Sequence, residues 1–310
     1  MKTLVFGSAN IDRTYTLPHF VEAGETVAAT KLEVFCGGKG FNQAIAFARA
    51  GSQVWFAGAI GEDGLTLKEH LIENNINVDY LQVSSEPSGQ AIIQVNSSGQ
   101  NSIIILAGAN GTITGTYADH VLNSFEEGDL IVLQNEITNV DYIIKQAHSR
   151  GLTVAFNPSP FNEQVLKCDL SDVDYLIVNE IEGSLLSGEE DYAKILHVLH
   201  SKYPDTNILL TLGHLGSVFC DRAGNCTKSG IYATKAVDTT AAGDTFLGYF
   251  LSTVCAGHSI ETALKQAAIA SGISVSRKGA SPSIPQLEEV QKADKSFLKA
   301  FCVEGGQYEH

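Results

Sequence analysis

The sequence predicts an α/β fold in which a mostly parallel central sheet is covered by helices on both faces. Short and almost wholly apolar segments recur along the 310 residues, with segments of helical spacing between them. The apolar segments lack the polar alternation of a strand with one solvent-facing side, so each needs cover on both sides. The chain is 44% hydrophobic, which suits a large buried core.

Strands and helices alternate along most of the chain. Buried strands are predicted at residues 3–8, 54–59, 129–133, 153–156, 175–178, 208–212 and 231–237. Helices are predicted at residues 42–50, where Gly51 ends the helix, and at residues 65–74 and 246–255. This order is typical of a parallel sheet, because parallel strands need long crossover connections.

Two regions interrupt this alternation, at about residues 12–36 and 88–107. Both have β-like patterns without helices. In the second region, residues 90–96 and 102–106 flank a short polar stretch and predict a hairpin. The two regions therefore form either a small sheet of their own or an extension of the central sheet.

The composition disfavours two classes of partner. The net charge is −15, whereas nucleic-acid binding requires clustered Lys and Arg. No apolar run is long enough to span a membrane. The apolar run at residues 1–6 is also too short for a signal peptide, so we expect no membrane partner and a cytoplasmic location.

The six cysteines show no C-x-x-C spacing and are expected to be reduced thiols that mostly serve packing. Reduced thiols are the rule in the cytoplasm. Cys220 and Cys226 flank a short turn at residues 221–225, so they could also approach each other across a hairpin.

Residues 238–246, DTTAAGDTF, form the most informative segment. Here small residues lead from a predicted strand into a predicted helix. The backbone N–H groups of Ala241, Ala242 and Gly243 are then free donors at the positive end of a helix, which suits an anion. The neighbouring carboxylate of Asp244 is either a helix cap or a base. An anion site beside a base is what phosphoryl transfer to a hydroxyl needs.

A second turn of small residues, CGGKGFNQ at residues 36–43, favours the catalytic interpretation. The two turns together resemble the two signatures of the ribokinase-like family of carbohydrate kinases. Further matches follow in family order: GSANID at 7–12, GETV at 24–27, AGAN at 107–110, NPSP at 157–160, NEIE at 179–182, TLG at 211–213 and RKGASPS at 277–283. The resemblance covers nearly the whole chain.

The resemblance implies one kinase domain over residues 1–310. It also implies that the two β-rich regions form a lid over a sugar site, and that the lids of two subunits pair in a homodimer. Within the chain, the resemblance identifies a set of sugar-binding residues: Asn10, Asp12, Gly38, Lys39, Asn42, Glu136 and Asp244.

The positions of these residues agree with the predicted fold. Asn10 and Asp12 follow the first strand, and Glu136 follows the strand at 129–133, where ligands of α/β sheets commonly bind. Taken one at a time, Asn10 and Asp12 could instead shape a turn, and Glu136 could be a solvated loop charge.

The resemblance assigns catalysis to Asp244 as general base, with the amides of Ala241, Ala242 and Gly243 stabilising the transferred phosphoryl group. For ATP with Mg²⁺ it implies contacts with Asn179, Glu182, Thr211, Gly213, Gly216 and Gly243. A K⁺ ion is implied at Asp238, Thr240, Ser274, Arg277, Gly279 and Ser283, partly through backbone carbonyls. Three positions depart from the family: Thr240 stands where an aliphatic residue is common, Ala268 stands in place of a histidine near the adenine, and Phe41 is bulkier than the usual alanine.

The implied activity is ATP-dependent phosphorylation of D-ribose to ribose 5-phosphate. A kinase for 2-deoxyribose, another sugar or a nucleoside is the alternative, and a sugar sensor without catalysis is a further hypothesis. A dehydrogenase is disfavoured because residues 7–12 lack the G-x-G-x-x-G fingerprint of dinucleotide sites. The turn at residues 37–40 is not a Walker loop either.

Overall fold

The computed structural model describes residues 1–98 and 100–301. The larger sheet in this part of the chain consists, in spatial order, of β13 (Cys226–Ser229), β12 (Ser217–Cys220), β11 (Asn207–Thr211), β10 (Tyr175–Asn179), β9 (Thr153–Asn157), β8 (Leu130–Gln134), β1 (Thr3–Phe6), β4 (Val54–Gly61) and β5 (Asn77–Ser84). Neighbouring strands are parallel from β11 to β5. Strands β12 and β13 form an antiparallel edge. The predicted, mostly parallel sheet is confirmed.

A second sheet contains β3 (Lys31–Gly37), β2 (Asn10–Thr16), β6 (Gly89–Val95) and β7 (Asn101–Leu106) in that spatial order. Strands β6 and β7 form the predicted antiparallel hairpin, although Gly99 in its turn lies outside the described residues. Strand β2 runs antiparallel to β3 and parallel to β6. The β-rich regions therefore form a separate small sheet, and an extension of the central sheet is the wrong alternative.

The helices either lie between strands along the chain or follow the last strand, β13. They are α1 (Lys39–Arg49), α2 (Leu65–Glu73), α3 (Gly115–Leu122), α4 (Val140–Ser149), α5 (Glu180–Ser187), α6 (Tyr192–Lys202), α7 (Ala242–Cys255), α8 (Ile260–Val275) and α9 (Leu287–Lys292). Among residues 1–98 and 100–301, no helix combines the length and apolar character that crossing a bilayer requires.

Each face of the large sheet has its own hydrophobic core. Because successive strand residues point to opposite faces, Leu4 and Phe6 enter the core that contains residues of α3, α4 and α6. Val5, between them, enters the core that contains residues of α1, α2, α7 and α8. The predicted three layers are confirmed, and the apolar character of the central strands follows from burial on both faces.

Helices α1 and α7 pack closely because α7 carries a glycine at the contact. A Cβ atom at Gly248 would lie 2.5 Å from Ala46 Cβ and 3.0 Å from the Phe47 nitrogen. The two helices can approach this closely because Gly248 has no side chain. This contact matters because each helix begins with one of the two small-residue turns.

The predicted strand at residues 231–237 is wrong. Tyr232 makes only an isolated bridge, to Leu298, and the segment instead lies against α8. The Thr234 hydroxyl donates to the Gly272 carbonyl at 2.8 Å, and a Cβ atom at Gly272 would lie 2.6 Å from the Tyr232 carbonyl oxygen. The segment's backbone and the Thr234 hydroxyl thus bond to the helix, because tertiary contacts override local strand propensity.

The expectation that all cysteines are reduced is wrong for one pair. Cys220 and Cys226 occupy opposite positions on β12 and β13 and form a disulfide. The short turn between these strands brings the two residues together. Cys36, Cys168 and Cys255 are free and partly buried, and Cys302 lies outside the described residues.

Phe41 packs in the core of the protein. Its side chain is fully buried among residues of α1, α2 and α7, and its ring lies 6.4 Å from that of His70. We therefore expect Phe41→Ala to lower the free energy of unfolding by about 3–5 kcal/mol, because it leaves a cavity. Urea denaturation would measure the change, with Leu166→Ala at a 69% exposed position as control. A loss below about 1 kcal/mol would contradict this account.

Candidate active site

The candidate site lies at the carboxyl ends of β1 and β8. These strands are neighbours, with Phe6 opposite Leu133 in their register. From β1 the sheet extends to β4 and β5 on one side, and the chain later returns to place β8 on the other. Crevices at such reversals of strand order are where open α/β sheets bind ligands.

Glu136 follows β8 and is fixed to the start of α1. Its Oε2 atom accepts hydrogen bonds from the Ser8 hydroxyl at 2.5 Å and from the Lys39 backbone N–H at 2.9 Å. The Ser8 Oγ atom accepts in turn from the Gly40 N–H at 3.2 Å. Glu136 is therefore a partly buried, held carboxylate and not a solvated loop charge.

Asn10 is held by a second asparagine. Its Oδ1 atom accepts from Asn110 Nδ2 at 2.7 Å, and Asn110 Oδ1 accepts from the Ala9 N–H at 3.1 Å. Asn10 and Asn110 are both almost fully buried. Because Asn10 begins β2, it belongs to a strand and does not shape a turn.

Asp12 lies on β2, where its carboxylate occupies the space left by a glycine. A Cβ atom at Gly37 would lie 2.0 Å from Asp12 Oδ2. Burial, together with the negative charge of Glu136, raises the pKa of Asp12 from 3.8 to about 7. Its Oδ1 atom is buried and has no hydrogen-bond partner among the described residues.

Lys39, the first residue of α1, lies where several carboxylates meet. Burial alone would lower the pKa of its ammonium group. The negative charges of Asp244, Glu136 and Glu182 outweigh that effect and raise the pKa above its ordinary value. The ammonium group of Lys39 thus attracts carboxylates from three separate parts of the chain.

The turn before α7 begins with a residue in the left-handed conformation. Ala241 has φ 60° and ψ 11°, which is uncommon for a residue other than glycine. The sequence predicted a free N–H group at Ala242. In the structure this group donates to the Thr239 carbonyl at 3.2 Å, so it is not entirely free. At Gly243 a Cβ atom would meet nothing within 4 Å, which leaves open space at the helix N-terminus.

Asp244 is the third residue of α7, and its side chain does not cap the helix. Its Oδ1 atom accepts from Gln43 Nε2 at 2.9 Å, and its Oδ2 atom accepts from Asn42 Nδ2 at 3.3 Å. The helix-cap interpretation is therefore wrong. The buried carboxylate instead faces α1, beside the open helix end.

A cavity of about 400 Å³ opens beside this turn. Its lining includes four of the predicted nucleotide residues, namely Thr211, Gly213, Gly216 and Gly243. Tyr232, Phe246, Gly272, Val275 and His214 also line it, although their sequence positions gave no strong signal for a binding role. Ala268, the position that the resemblance places near the adenine, lines it as well. Small and apolar side chains on one wall, with a helix N-terminus at one end, suit a base and a phosphate chain.

Asn179 and Glu182 do not line this cavity among the described residues. They form a capping box at the start of α5, in which Asn179 Oδ1 accepts from the Glu182 N–H at 2.9 Å. Glu182 Oε2 accepts from the Asn179 N–H at 3.1 Å. Their helix-capping role is evident in the structure, whereas their contact with magnesium or phosphate stays a prediction.

Asp238 joins the anion turn to the loop after α8. It accepts from the Thr240 N–H at 3.0 Å, the Thr240 hydroxyl at 2.6 Å and the Gly279 N–H at 2.9 Å. Partial burial opposes its ionisation, but these hydrogen bonds and the charge of Lys278 outweigh that effect and lower the pKa of Asp238. An ionised carboxylate is thus held within the predicted cation site.

The remaining predicted cation residues divide into two groups. The hydroxyls of Ser274 and Ser283 are buried and lie 2.8 Å apart, below the loop that carries Gly279. The side chain of Arg277 pairs instead with Glu289 at the surface. If Arg277 contributes to a cation site, it does so through its backbone.

Gln43 and Gln134 lie at the site, although neither was predicted as a site residue. Both are fully buried, and Gln43 contacts the carboxylate of Asp244. Gln43 belongs to the first small-residue motif and follows Asn42, so its sequence position could have indicated a role at the site. Gln134 precedes Glu136 by two residues and carried no signal of its own.

The raised pKa of Asp12 predicts a pH-dependent effect on stability. Between the unfolded pKa of 3.8 and the folded pKa of about 7, the folded chain binds more protons at this site, so its contribution to stability falls as the pH rises. We expect Asp12→Asn to raise the free energy of unfolding at pH 8 by roughly 1–3 kcal/mol, and by much less at pH 4.5.

Urea denaturation at both pH values would measure this difference. Asp205→Asn, at an exposed position, is the matched control. An Asp12→Asn protein that is less stable than the original chain at pH 8 would show that the ionised carboxylate is stabilised by its surroundings.

Comparison with known proteins places this geometry in one family. The model of the pfkB family carbohydrate kinases matches residues 2–287. A ribokinase of Haemophilus influenzae is 36% identical over 300 residues, which cover 93% of this chain and 97% of that protein. A deoxyribokinase of Salmonella typhi is 31% identical with the same coverage. The structure of Arabidopsis thaliana ribokinase with ribose and ATP superposes with a TM-score of 0.83 and 31% identity, over 94% of this chain and 97% of the other. The chain therefore belongs to the pfkB family of carbohydrate kinases.

Proposed function

We propose that the protein phosphorylates D-ribose at O5 with ATP and yields ribose 5-phosphate and ADP. The observation that carries the proposal is a buried carboxylate, Asp244, held beside the open helix N-terminus at Gly243. Ribokinases are among the relatives with matching length, and one structural neighbour was solved with ribose and ATP.

The reaction is a direct in-line transfer with Asp244 as general base. The carboxylate accepts the O5 proton while O5 forms a bond to the γ-phosphorus. The bond from that phosphorus to the β,γ-bridging oxygen breaks, and ADP leaves with the electron pair. The amides at Ala241, Ala242 and Gly243 stabilise charge on the transferred group, and no covalent enzyme intermediate forms.

Unsatisfied polar atoms support a sugar at this site. Asp12 Oδ1 and Asn42 Oδ1 are buried without a hydrogen-bond partner among the described residues. A buried acceptor without a partner is unfavourable, and sugar hydroxyls would supply the missing donors. We assign sugar binding to the predicted set: Asn10, Asp12, Gly38, Lys39, Asn42, Glu136 and Asp244.

The nucleotide occupies the cavity beside the anion turn, in contact with Thr211, Gly213, Gly216 and Gly243. ATP-dependent kinases use Mg²⁺ with their nucleotide, and such an ion typically binds one or two carboxylates together with substrate phosphates. Glu182, with Asn179, is the assigned protein partner, because its charge acts on the same Lys39 as that of Asp244. The ion would neutralise charge on the phosphates.

We propose K⁺ as an activator, held near the anion turn. The donor set suits a monovalent cation, because the pKa of Asp238 is lowered and its carboxylate is held against the loop that carries Gly279. Thr240, Ser274, Arg277, Gly279 and Ser283 complete the assigned set, mostly through carbonyls. A bound K⁺ would hold the turn in the shape that receives the phosphate.

A second candidate substrate is 2-deoxyribose. The deoxyribokinase relative, at 31% identity, favours it. The two sugars differ in one hydroxyl, so the distinction depends on which polar group meets the ribose O2. A site built to bond that hydroxyl rejects the analogue that lacks it.

Asp244→Asn tests the central assignment. The amide cannot accept the proton, so we expect turnover at least 10³-fold lower, with sugar binding and folding preserved. Sugar-dependent ADP release from Mg-ATP, with and without K⁺, would measure it for D-ribose, 2-deoxyribose, fructose and adenosine.

Each outcome of this experiment is informative. Near-normal turnover of the variant would remove Asp244 as the base. Turnover of another acceptor but not of ribose would replace the substrate and keep the mechanism. Activity that is indifferent to K⁺ would contradict the cation site, and inactivity on the whole panel with tight sugar binding would indicate a sensor.

The small sheet supports the predicted homodimer and its role as a lid. Its edge strand β7 exposes four consecutive apolar residues, Ile103–Leu106, each more than half exposed. An edge strand with so much apolar surface is normally covered. We propose that the small sheets of two subunits pair and close over the sugar, and that the enzyme works in the cytoplasm.

Sedimentation would test this pairing. We expect a dimer at micromolar concentration and a monomer for Ile104→Lys, because the lysine would place a charge in the apolar contact. Leu166→Lys, at a 69% exposed position outside the small sheet, should remain dimeric. A strictly monomeric original chain would refute the proposed pairing.

A further inference from the structure

Two neighbouring amides of α1 hold the carboxylate of Asp244, one on each oxygen. Gln43 Nε2 donates to Oδ1 at 2.9 Å, and Asn42 Nδ2 donates to Oδ2 at 3.3 Å. Gln43 makes the shorter bond and is fully buried. Asn42 already belongs to the assigned sugar set, whereas Gln43 has no role in the proposed reaction so far.

The orientation of the Gln43 amide is set from its other side. Its Oε1 atom accepts from Gln134 Nε2 at 2.7 Å. Because the oxygen faces Gln134, the Nε2 group must face Asp244. Nε2 also lies 3.4 Å from Asn157 Oδ1 at the end of β9. Gln134 and Gln43 therefore link the end of β8 to the base through buried side chains.

Helix packing fixes the distance across this link. Gln43 lies one turn before Phe47 on α1, and Asp244 lies one turn before Gly248 on α7. The Gly248 contact holds the two helices close at that level, since a Cβ atom there would overlap Ala46. The hydrogen bond between Gln43 and Asp244 thus joins two rigid elements, and neither is a mobile loop.

We propose that Gln43 is a positioning residue for the base of the reaction. Its amide fixes which way the Asp244 carboxylate turns, so that a free lone pair meets the sugar hydroxyl. Gln134 fixes the amide in turn. This inference rests on the proposed function, because it concerns the proton acceptor of that reaction.

Gln43→Met tests the role of the hydrogen bond at nearly constant volume. Loss of a hydrogen bond to a charged group predicts a kcat about tenfold to hundredfold lower. The dissociation constants of the sugar and of ATP should change less than threefold, because Gln43 belongs to neither assigned binding set and does not line the nucleotide cavity. Gln291→Met, on the exposed face of α9, is the matched control.

Gln43→Glu separates positioning from packing by its pH dependence. A carboxyl group beside Asp244 ionises reluctantly, because two adjacent carboxylates repel each other. While it keeps its proton it can donate as the amide does. The charged groups gathered here are Asp244 on α7, Lys39 on α1, Glu182 on α5 and Glu136 after β8. We expect kcat relative to the original chain to fall at least tenfold between pH 6 and pH 9.

Kinetics of these variants decide between the two roles. A Gln43→Met protein with normal kcat overturns the proposal. So does a Gln43→Glu protein whose kcat, relative to the original chain, is the same at every pH, since that indicates packing alone. If Gln43→Met does not fold, Gln134→Leu replaces it, because it frees the Gln43 amide to rotate and should lower kcat with little effect on binding. Absence of sugar-dependent turnover in the original chain would instead overturn the proposed function.

Discussion

The candidate site depends on one buried contact, the one between the carboxylate of Asp244 and the amides of Asn42 and Gln43. The partners lie about 200 positions apart in the sequence, so the contact exists only once the sheet has brought α1 and α7 together. A buried carboxylate is strongly unfavourable unless it is hydrogen-bonded. The same contact therefore stabilises the arrangement of the two helices and holds a carboxylate, our proposed base, beside the open N-terminus of α7. The missing side chain of Gly248 makes this distance possible.

The other charged groups of the site interact with the ammonium group of Lys39. Three carboxylates, from Asp244, Glu136 and Glu182, raise the pKa of its ammonium group. Asp12, which we assign to sugar binding, is an unfavourably placed acid, since burial and the charge of Glu136 raise its pKa to about 7. Acceptor atoms of Asp12 and Asn42 are buried and find no hydrogen-bond partner within the described part of the chain. Sugar hydroxyls would donate hydrogen bonds to these atoms. Without a sugar, the unpaired polar groups lower the stability of the protein, as is common at binding sites.

Much of this architecture could be predicted from local patterns. The apolar strands and the two small-residue turns led to the three layers and to the neighbourhood of the site. Helix α1 begins at Lys39 rather than Asn42, because Gly38, at φ 91°, already makes the turn. The strand expected at residues 231–237 failed because contact with α8 outweighs its β propensity. The spacing of Cys220 and Cys226 around a short turn left the disulfide open as an alternative. The contact of Gln43 with Asp244 instead depends on a tertiary distance between residues far apart in the sequence, which no local pattern encodes.

The most direct test of this account is a structure of the protein with D-ribose and a non-hydrolysable ATP analogue. The account predicts that the sugar O5 lies about 2.6–3.2 Å from a carboxylate oxygen of Asp244. It also predicts that the γ-phosphate meets the Gly243 amide, while Gln43 still donates to the other oxygen of the base. An O5 atom that faces Glu136 or Lys39, with Asp244 turned away from the sugar, would contradict the assignment of the base and the role of the helix contact that holds it.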